Sequence, residues 1–282
     1  MKKSPISVIV MLLSALLISA GQTQRNHYSA RQEKQSYIYV LSDQDLKIYH
    51  VLGNGTLKSV PHGWVDVGLL SRCIMAAPSG RTLYISSDVD TFDAHSGRIL
   101  VYAINKNGRL SSLGSIEAGT MPLVLAMTKS GRFLYCSAED AATRQGALHQ
   151  YRIEANGALT SLKPPTISLG KNLFTPPVVS PSDHYLYVPT TGRPRCFRIS
   201  RSGALVELPA PPTQANVEDL VFSPSGKFVY CLQSGGIISV GTADGRTGNL
   251  SQLRPVARVP PASYGLAISP QRHTVQITDT YI

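Results

Sequence analysis

Two adjacent carboxylates, Glu218 and Asp219, open one apolar β-type segment of this chain, Val217-Glu218-Asp219-Leu220-Val221-Phe222. Paired carboxyls can divide acid and base work when their surroundings separate their proton affinities. As structure alone, the pair is two strand-end charges facing water. The stretch Asp88-Val89-Asp90-Thr91-Phe92-Asp93-Ala94-His95 carries oxygen ligands of the kind a hard cation takes. It lacks the Gly and closing Glu of an EF-hand and reads as a solvated acidic loop. Glu139 and Asp140 read the same way one repeat later, while Arg72, Arg193 and Arg195 can hold an anion or stand solvated at a rim. No CxxC, CxxCH or zinc-ligand spacing occurs, so c-type haem and structural zinc are excluded, and no metal or cofactor is expected.

The elements that position these residues are repeated. A turn leading into a Tyr-ending strand reads Pro78-Ser79-Gly80-Arg81-Thr82-Leu83-Tyr84, and returns at Lys129–Tyr135, Pro181–Tyr187 and Pro224–Tyr230. A worn copy begins at Pro270. The closing tyrosines stand 51, 52 and 43 residues apart, a period that indicates stacked strand-rich units. A second phrase, a strand followed by a glycine turn and Leu, occurs at Asn54-Gly55, Asn107-Gly108, Asn156-Gly157 and Ser202-Gly203. Such turns join hairpins, because Asn and Gly accept positive φ at little steric cost. Each unit therefore reads as four antiparallel strands. The fold class is all-β, a β-propeller of four-stranded antiparallel blades, with five to six blades encoded. Counting gives three strands over 37–60, sixteen over 67–255 and two over 264–278, twenty-one in all. An unpaired last strand would expose an edge, which favours a chain shortened from a longer one over a smaller ring.

In such a ring the tight turns share one face and the variable loops share the other, so the channel mouth on the loop face is the expected site. Glu218 and Asp219 fall there. Cys136 and Cys231 occupy equivalent positions two blades apart, too far for a bridge, so the cysteines are expected as buried free thiols.

Residues 1–20 read as a signal peptide: Lys2 and Lys3 precede the apolar run Ile6–Ile18, then Ser19-Ala20-Gly21. Residues 21–36 read as a flexible leader and 37–282 as the propeller domain. The expected location is periplasmic or extracellular, without a stable membrane anchor. Removing the two lysines lowers the net charge from +10 to +8, and the remaining basic residues are scattered, which argues against nucleic-acid binding. A monomer is expected, with a lactone or sugar-like small molecule or a protein partner at the loop face.

The repeat phrases, with the opening Gln35-Ser36-Tyr37-Ile38-Tyr39-Val40, resemble the lactonase family of seven-bladed β-propellers, which includes propeller-type 6-phosphogluconolactonases. The resemblance covers roughly residues 35–282. It implies lactone hydrolysis, but the functional positions depart from it. The family's Arg-His pair is represented by Glu218 and Asp219, and its Asn-Glu by Gln233-Ser234. A family His is represented by Thr175 or a neighbour. Arg195 matches, although its Asp partner is Pro194. Lactone opening needs a base and a stabiliser for the oxyanion. The expectation is therefore a ligand- or partner-binding scaffold lacking the usual catalytic residues. The alternative is a lactone or ester hydrolase with a rebuilt site, using Glu218, Asp219 and Arg195.

Overall fold

Five units fold each into a four-stranded antiparallel sheet, with strands in sequence order, and a last one into two strands among the described residues. In this computed structural model the described residues are 9–11, 36–42, 45–68, 70–88, 97–140, 143–171, 176–190, 193–209, 216–261, 263–268 and 275–279. Blade I comprises β1 (Ile9–Met11), β2 (Ser36–Leu41), β3 (Asp45–Val51) and β4 (Leu57–Asp66). Blade II comprises β5 (Ser71–Ala76), β6 (Thr82–Asp88), β7 (Gly97–Ile104) and β8 (Leu110–Glu117). Blade III comprises β9 (Thr120–Met127), β10 (Phe133–Glu139), β11 (Gly146–Ile153) and β12 (Leu159–Gly170). Blade IV comprises β13 (Val178–Val179), β14 (Tyr185–Val188), β15 (Arg195–Ile199) and β16 (Leu205–Glu207). Blade V comprises β17 (Val217–Phe222), β18 (Phe228–Gln233), β19 (Ile237–Thr242) and β20 (Arg254–Arg258). A sixth sheet pairs β21 (Ser263–Ile268) with β22 (Val275–Asp279).

Twenty-one of these strands are the expected ones. The additional strand, β1, lies inside the apolar run read as an export signal and pairs with β2, Ile9 opposite Leu41. Of the leader expected at 21–36, residues 21–35 lie outside the described residues, and Ser36 instead opens β2. All four cysteines are free, and Cys136, Cys196 and Cys231 are buried.

Four apolar cores lie between successive blades. Leu41, Ile48 and Leu83 share the first, Tyr84, Ile99 and Leu134 the second, Phe133, Leu148 and Leu186 the third, and Tyr187, Leu220 and Cys231 the fourth. Strand alternation supplies them, since each blade turns alternate side chains toward opposite neighbours.

The repeated Tyr is the stitch between blades. Tyr39 donates its hydroxyl hydrogen bond to the Gly108 carbonyl of the next blade at 2.8 Å, and Tyr84 to Gly157 at 2.9 Å. Tyr135 donates to Gly203 at 2.8 Å and Tyr187 to Gly248 at 2.7 Å. Each acceptor lies in the turn between the outer strands of the following blade. Gly203 shows why the turn requires glycine. Its φ is +90°, and a Cβ there would lie 2.2 Å from the Phe133 ring, two residues before the donating Tyr. The two repeated sequence phrases are thus halves of one contact.

The first turn of each blade is braced as well. A Cβ on Gly131 (φ +69°) would meet Pro78 of blade II, and one on Gly226 would meet Pro181 of blade IV. Where the preceding blade has Lys129 in place of Pro, the next has Asp183 in place of Gly. Its carboxylate accepts the backbone N–H of Lys129 at 2.5 Å and of Ser130 at 2.7 Å. These bonds compensate its φ of +60°. Proline would have no such N–H to give.

Urea denaturation of Tyr135→Phe should show a loss of about 1–2 kcal/mol, the cost of one net hydrogen bond plus an unsatisfied carbonyl. Gly203→Val should lose about 3 kcal/mol through overpacking and backbone strain. Gly131→Val and Gly226→Val should each lose about 1–2 kcal/mol through strain at positive φ. Wild-type stability in Gly203→Val would show that the stitch is not structural.

Candidate functional site at the loop face

The inner strands begin at the loop face, and several begin with a bulge. In blade II the register shifts between Ser71 and Cys73, leaving Arg72 as the extra residue. In blade V it shifts between Val217 and Asp219, leaving Glu218. Blade III shifts between Ser137 and Glu139 against β9, and the sixth sheet between Ser263 and Gly265. A bulge re-aims the extra side chain and ends regular pairing, as sheets often do beside functional sites. Arg72 and Glu218 are both exposed. The bulges therefore present one cation and one carboxylate from inner strands at the same face.

The two adjacent carboxyls have separate surroundings. Glu218 accepts a 2.7 Å hydrogen bond from the Ser234 hydroxyl. Asp219 is largely buried and accepts two backbone N–H groups, Leu220 at 2.8 Å and Leu266 of β21 at 2.7 Å. Burial raises its pKa to about 6, although both amide bonds pull the other way. Asp219 thus ties blade V to the sixth sheet.

Arg195 is engaged elsewhere. Its guanidinium grips Glu207 at 2.6 and 2.7 Å, donates to the Ser168 carbonyl at 2.7 Å, and lies over the Phe197 ring. These contacts join the outer strands of blades III and IV, and Arg195 shares no partner with Glu218 or Asp219. The structure brings Glu218 and Asp219 together by sequence adjacency and leaves Arg195 at the outer rim.

Glu139 stands at the end of β10 with Arg144 Nε 2.6 Å from its Oε1, an ion pair not aligned as a hydrogen bond. Asp88 is raised by burial, partly offset by the Arg72 charge and the Met121 N–H. The rest of the acidic loop, 89–96, and Thr175 lie outside the described residues. Arg193 is exposed, and its carbonyl accepts from the Thr190 hydroxyl at 2.7 Å. Among the described residues no group of three His, Cys, Asp or Glu side chains is placed to hold a metal.

His149 belongs to this face and was not singled out by sequence. Its ring stacks on Tyr151, and its buried Nε2 has no hydrogen-bond partner among the described residues. A Cβ on Gly119 would lie 2.7 Å from that nitrogen, so the crossover into blade III runs directly over the ring. Burial lowers its pKa to about 4, so it is neutral at neutral pH. The signal available in sequence was only a lone His in a strand that also carries Gln150 and Arg152.

The blades, stitched in sequence order, define a β-propeller. Within it, residues 82–188 match the family described as Lactonase, 7-bladed beta-propeller, so the resemblance is shown over that stretch. The fold is shared with a putative 6-phosphogluconolactonase from Bacteroides fragilis, at 15% identity and TM-score 0.66, over 86% of this chain and 74% of that one. It is shared with a periplasmic gluconolactonase from Pseudomonas aeruginosa, at 20% identity and TM-score 0.64, over 83% and 72%. Sqt1 from Chaetomium thermophilum, bound to the N-terminus of ribosomal protein L10, aligns at 18% identity and TM-score 0.56, over 82% and 62%. No curated protein matches the chain significantly.

The pH dependence of stability separates the two buried groups. The folded pKa of Asp219, about 6, lies above the ordinary aspartate value of 3.8. Its stability contribution is complete below the lower value and lost as pH rises through the higher. The folded pKa of His149, about 4, lies below 6.5, so its contribution is present above 6.5 and lost as pH falls through 4. The slopes oppose each other across about pH 4–6. Asp219→Asn should make stability rise more steeply with pH there, and His149→Gln should make it fall. Urea midpoints measured across that window check both signs, and unchanged profiles would remove the assignment.

Proposed function

We propose that this chain is an exported propeller that binds a small lactone or sugar-like ligand at the loop face without the family's hydrolytic constellation. The observation that carries this reading is the commitment of Asp219 to two backbone amides, one from the sixth sheet. A carboxylate that positions β21 is not free to exchange protons with a substrate, and the one hydrogen bond made by Glu218 among the described residues is from the Ser234 hydroxyl. The bulge-presented Arg72 and Glu218 supply one donor and one acceptor for a polyhydroxylated ligand. The resemblance to a periplasmic gluconolactonase supports both the ligand class and export.

Hydrolysis is the second reading. It is favoured by the gluconolactonase and 6-phosphogluconolactonase names of the structural relatives and by the raised pKa of Asp219. Gluconolactone is the probe for both. Calorimetry should show saturable binding that Arg72→Ala and Glu218→Gln each weaken, while a pH-indicator assay shows no turnover above background. Turnover that falls about 10²–10⁴-fold in Glu218→Gln would replace the binding reading with the hydrolase. Neither binding nor turnover would reject both. Export is checked by expressing the full chain and measuring the mass of any mature form in periplasm and medium; a full-length cytoplasmic product would exclude it.

A further inference from the structure

The first turns of blades III and IV show how this protein seats a carboxylate. The Asp183 side chain lies across the preceding turn and accepts the successive N–H groups of Lys129 and Ser130, at 2.5 and 2.7 Å. Paired amides of this kind form an anion-binding concavity. One blade further on, Gly226 occupies the position of Asp183, and Pro181-Ser182 that of Lys129-Ser130. Glycine offers no carboxylate. The Ser182 N–H, equivalent to the bonded Ser130 N–H, therefore has no acceptor among the described residues. A cavity of about 220 Å³ lies at this junction, with Ser182 and Gly226 in its lining.

The cavity holds a charge in place of the second amide, which Pro181 cannot give. Lys129 of blade III lines it, and its ammonium has no ion-pair partner among the described residues. Ser180 Oγ accepts the Tyr185 N–H at 3.1 Å and lies 3.0 Å from Ser182 Oγ. With Ser180 donating across that contact, the Ser182 hydroxyl hydrogen is left for a ligand. The buried rings of Tyr185 and Phe222 supply an apolar side. Asp244 lines the cavity from the turn between β19 and β20, and its oxygens take the Arg246 N–H and the Thr247 hydroxyl, each at 2.8 Å. Its charge repels a carboxylate and admits hydroxyls. Blades IV and V each have four strands, so both walls of the cavity are complete.

We propose that this cavity, on the face opposite the loops, binds a small hydroxy acid. The ligand carboxylate takes the place that the Asp183 side chain holds at the preceding junction, against the Ser182 N–H and the Lys129 ammonium. Its hydroxyls turn toward Asp244, and its C–H groups lie on the aromatic side. Charge-assisted hydrogen bonds at the carboxylate end select an acid over the corresponding alcohol.

Glycerate is the probe, titrated calorimetrically into the full chain. Saturable binding is expected, about ten-fold tighter than that of glycerol and weakened by salt. Lys129→Gln should weaken it about five-fold, the share of one partly exposed charge contact. Gly226→Asp installs the carboxylate that Asp183 supplies one blade earlier. A Cβ at Gly226 meets Pro181 at 3.6 Å, an ordinary contact, so the side chain fits. This variant should abolish glycerate binding by occupying the site itself. Arg72→Ala, on the loop face, should leave glycerate binding unchanged. Urea midpoints establish that the variants are folded. No saturable binding by the wild-type chain, equal affinity for glycerol, or tighter binding of inorganic phosphate would overturn the proposal. So would unchanged binding by folded Lys129→Gln or Gly226→Asp, and weakened binding by Arg72→Ala would move the ligand to the loop face.

Discussion

The hydrogen bond from a buried tyrosine to a glycine carbonyl in the next blade is the constraint on which this propeller depends. A β-sheet of four short strands cannot bury both faces by itself, so each blade is stable only against its neighbours. Apolar packing supplies the force but fixes the contact loosely. The tyrosine fixes it, because a buried hydroxyl needs a partner and finds it in a backbone carbonyl of the next blade's turn. Tyr39, Tyr84, Tyr135 and Tyr187 all find theirs at the same turn position. The glycine is required in turn, since the donor strand's own side chain fills the space a Cβ would take.

These stitches gather near the tight turns, and that leaves the opposite face available for function. There the strand starts depart from regular pairing, with bulges at Arg72 and Glu218 and a crossover held over His149. Rigidity on one face and irregularity on the other follow from one topology. The fold itself does not choose a chemistry, since lactonases and a binder of a ribosomal protein share it.

Charge at the loop face is divided between structural and available groups. Asp219, Glu139 and Arg195 are spent on backbone amides or on partners within the propeller. Arg72 and Glu218 remain presented outward. Burial raises the proton affinity of Asp219, but the hydrogen bonds that accompany burial give it a positioning role.

The repeat phrases by themselves determined the blades, the strand order within each, the turn positions and the free thiols. These follow from local rules: alternation sets the buried faces, and Pro-Ser-Gly and Asn-Gly set the turns. The sequence also placed Glu218 and Asp219 at an inner-strand start. Only the tertiary structure decided that the two phrases meet as donor and acceptor across neighbouring blades. Only it decided that Asp219 is a tie to β21 and that Arg195 faces the outer rim. The bulges were equally silent, because an extra residue in a strand is defined by its partner's register. Pairing within a hairpin is encoded by adjacent residues, whereas contacts between blades join residues about 50–75 positions apart and exist only once the blades have packed.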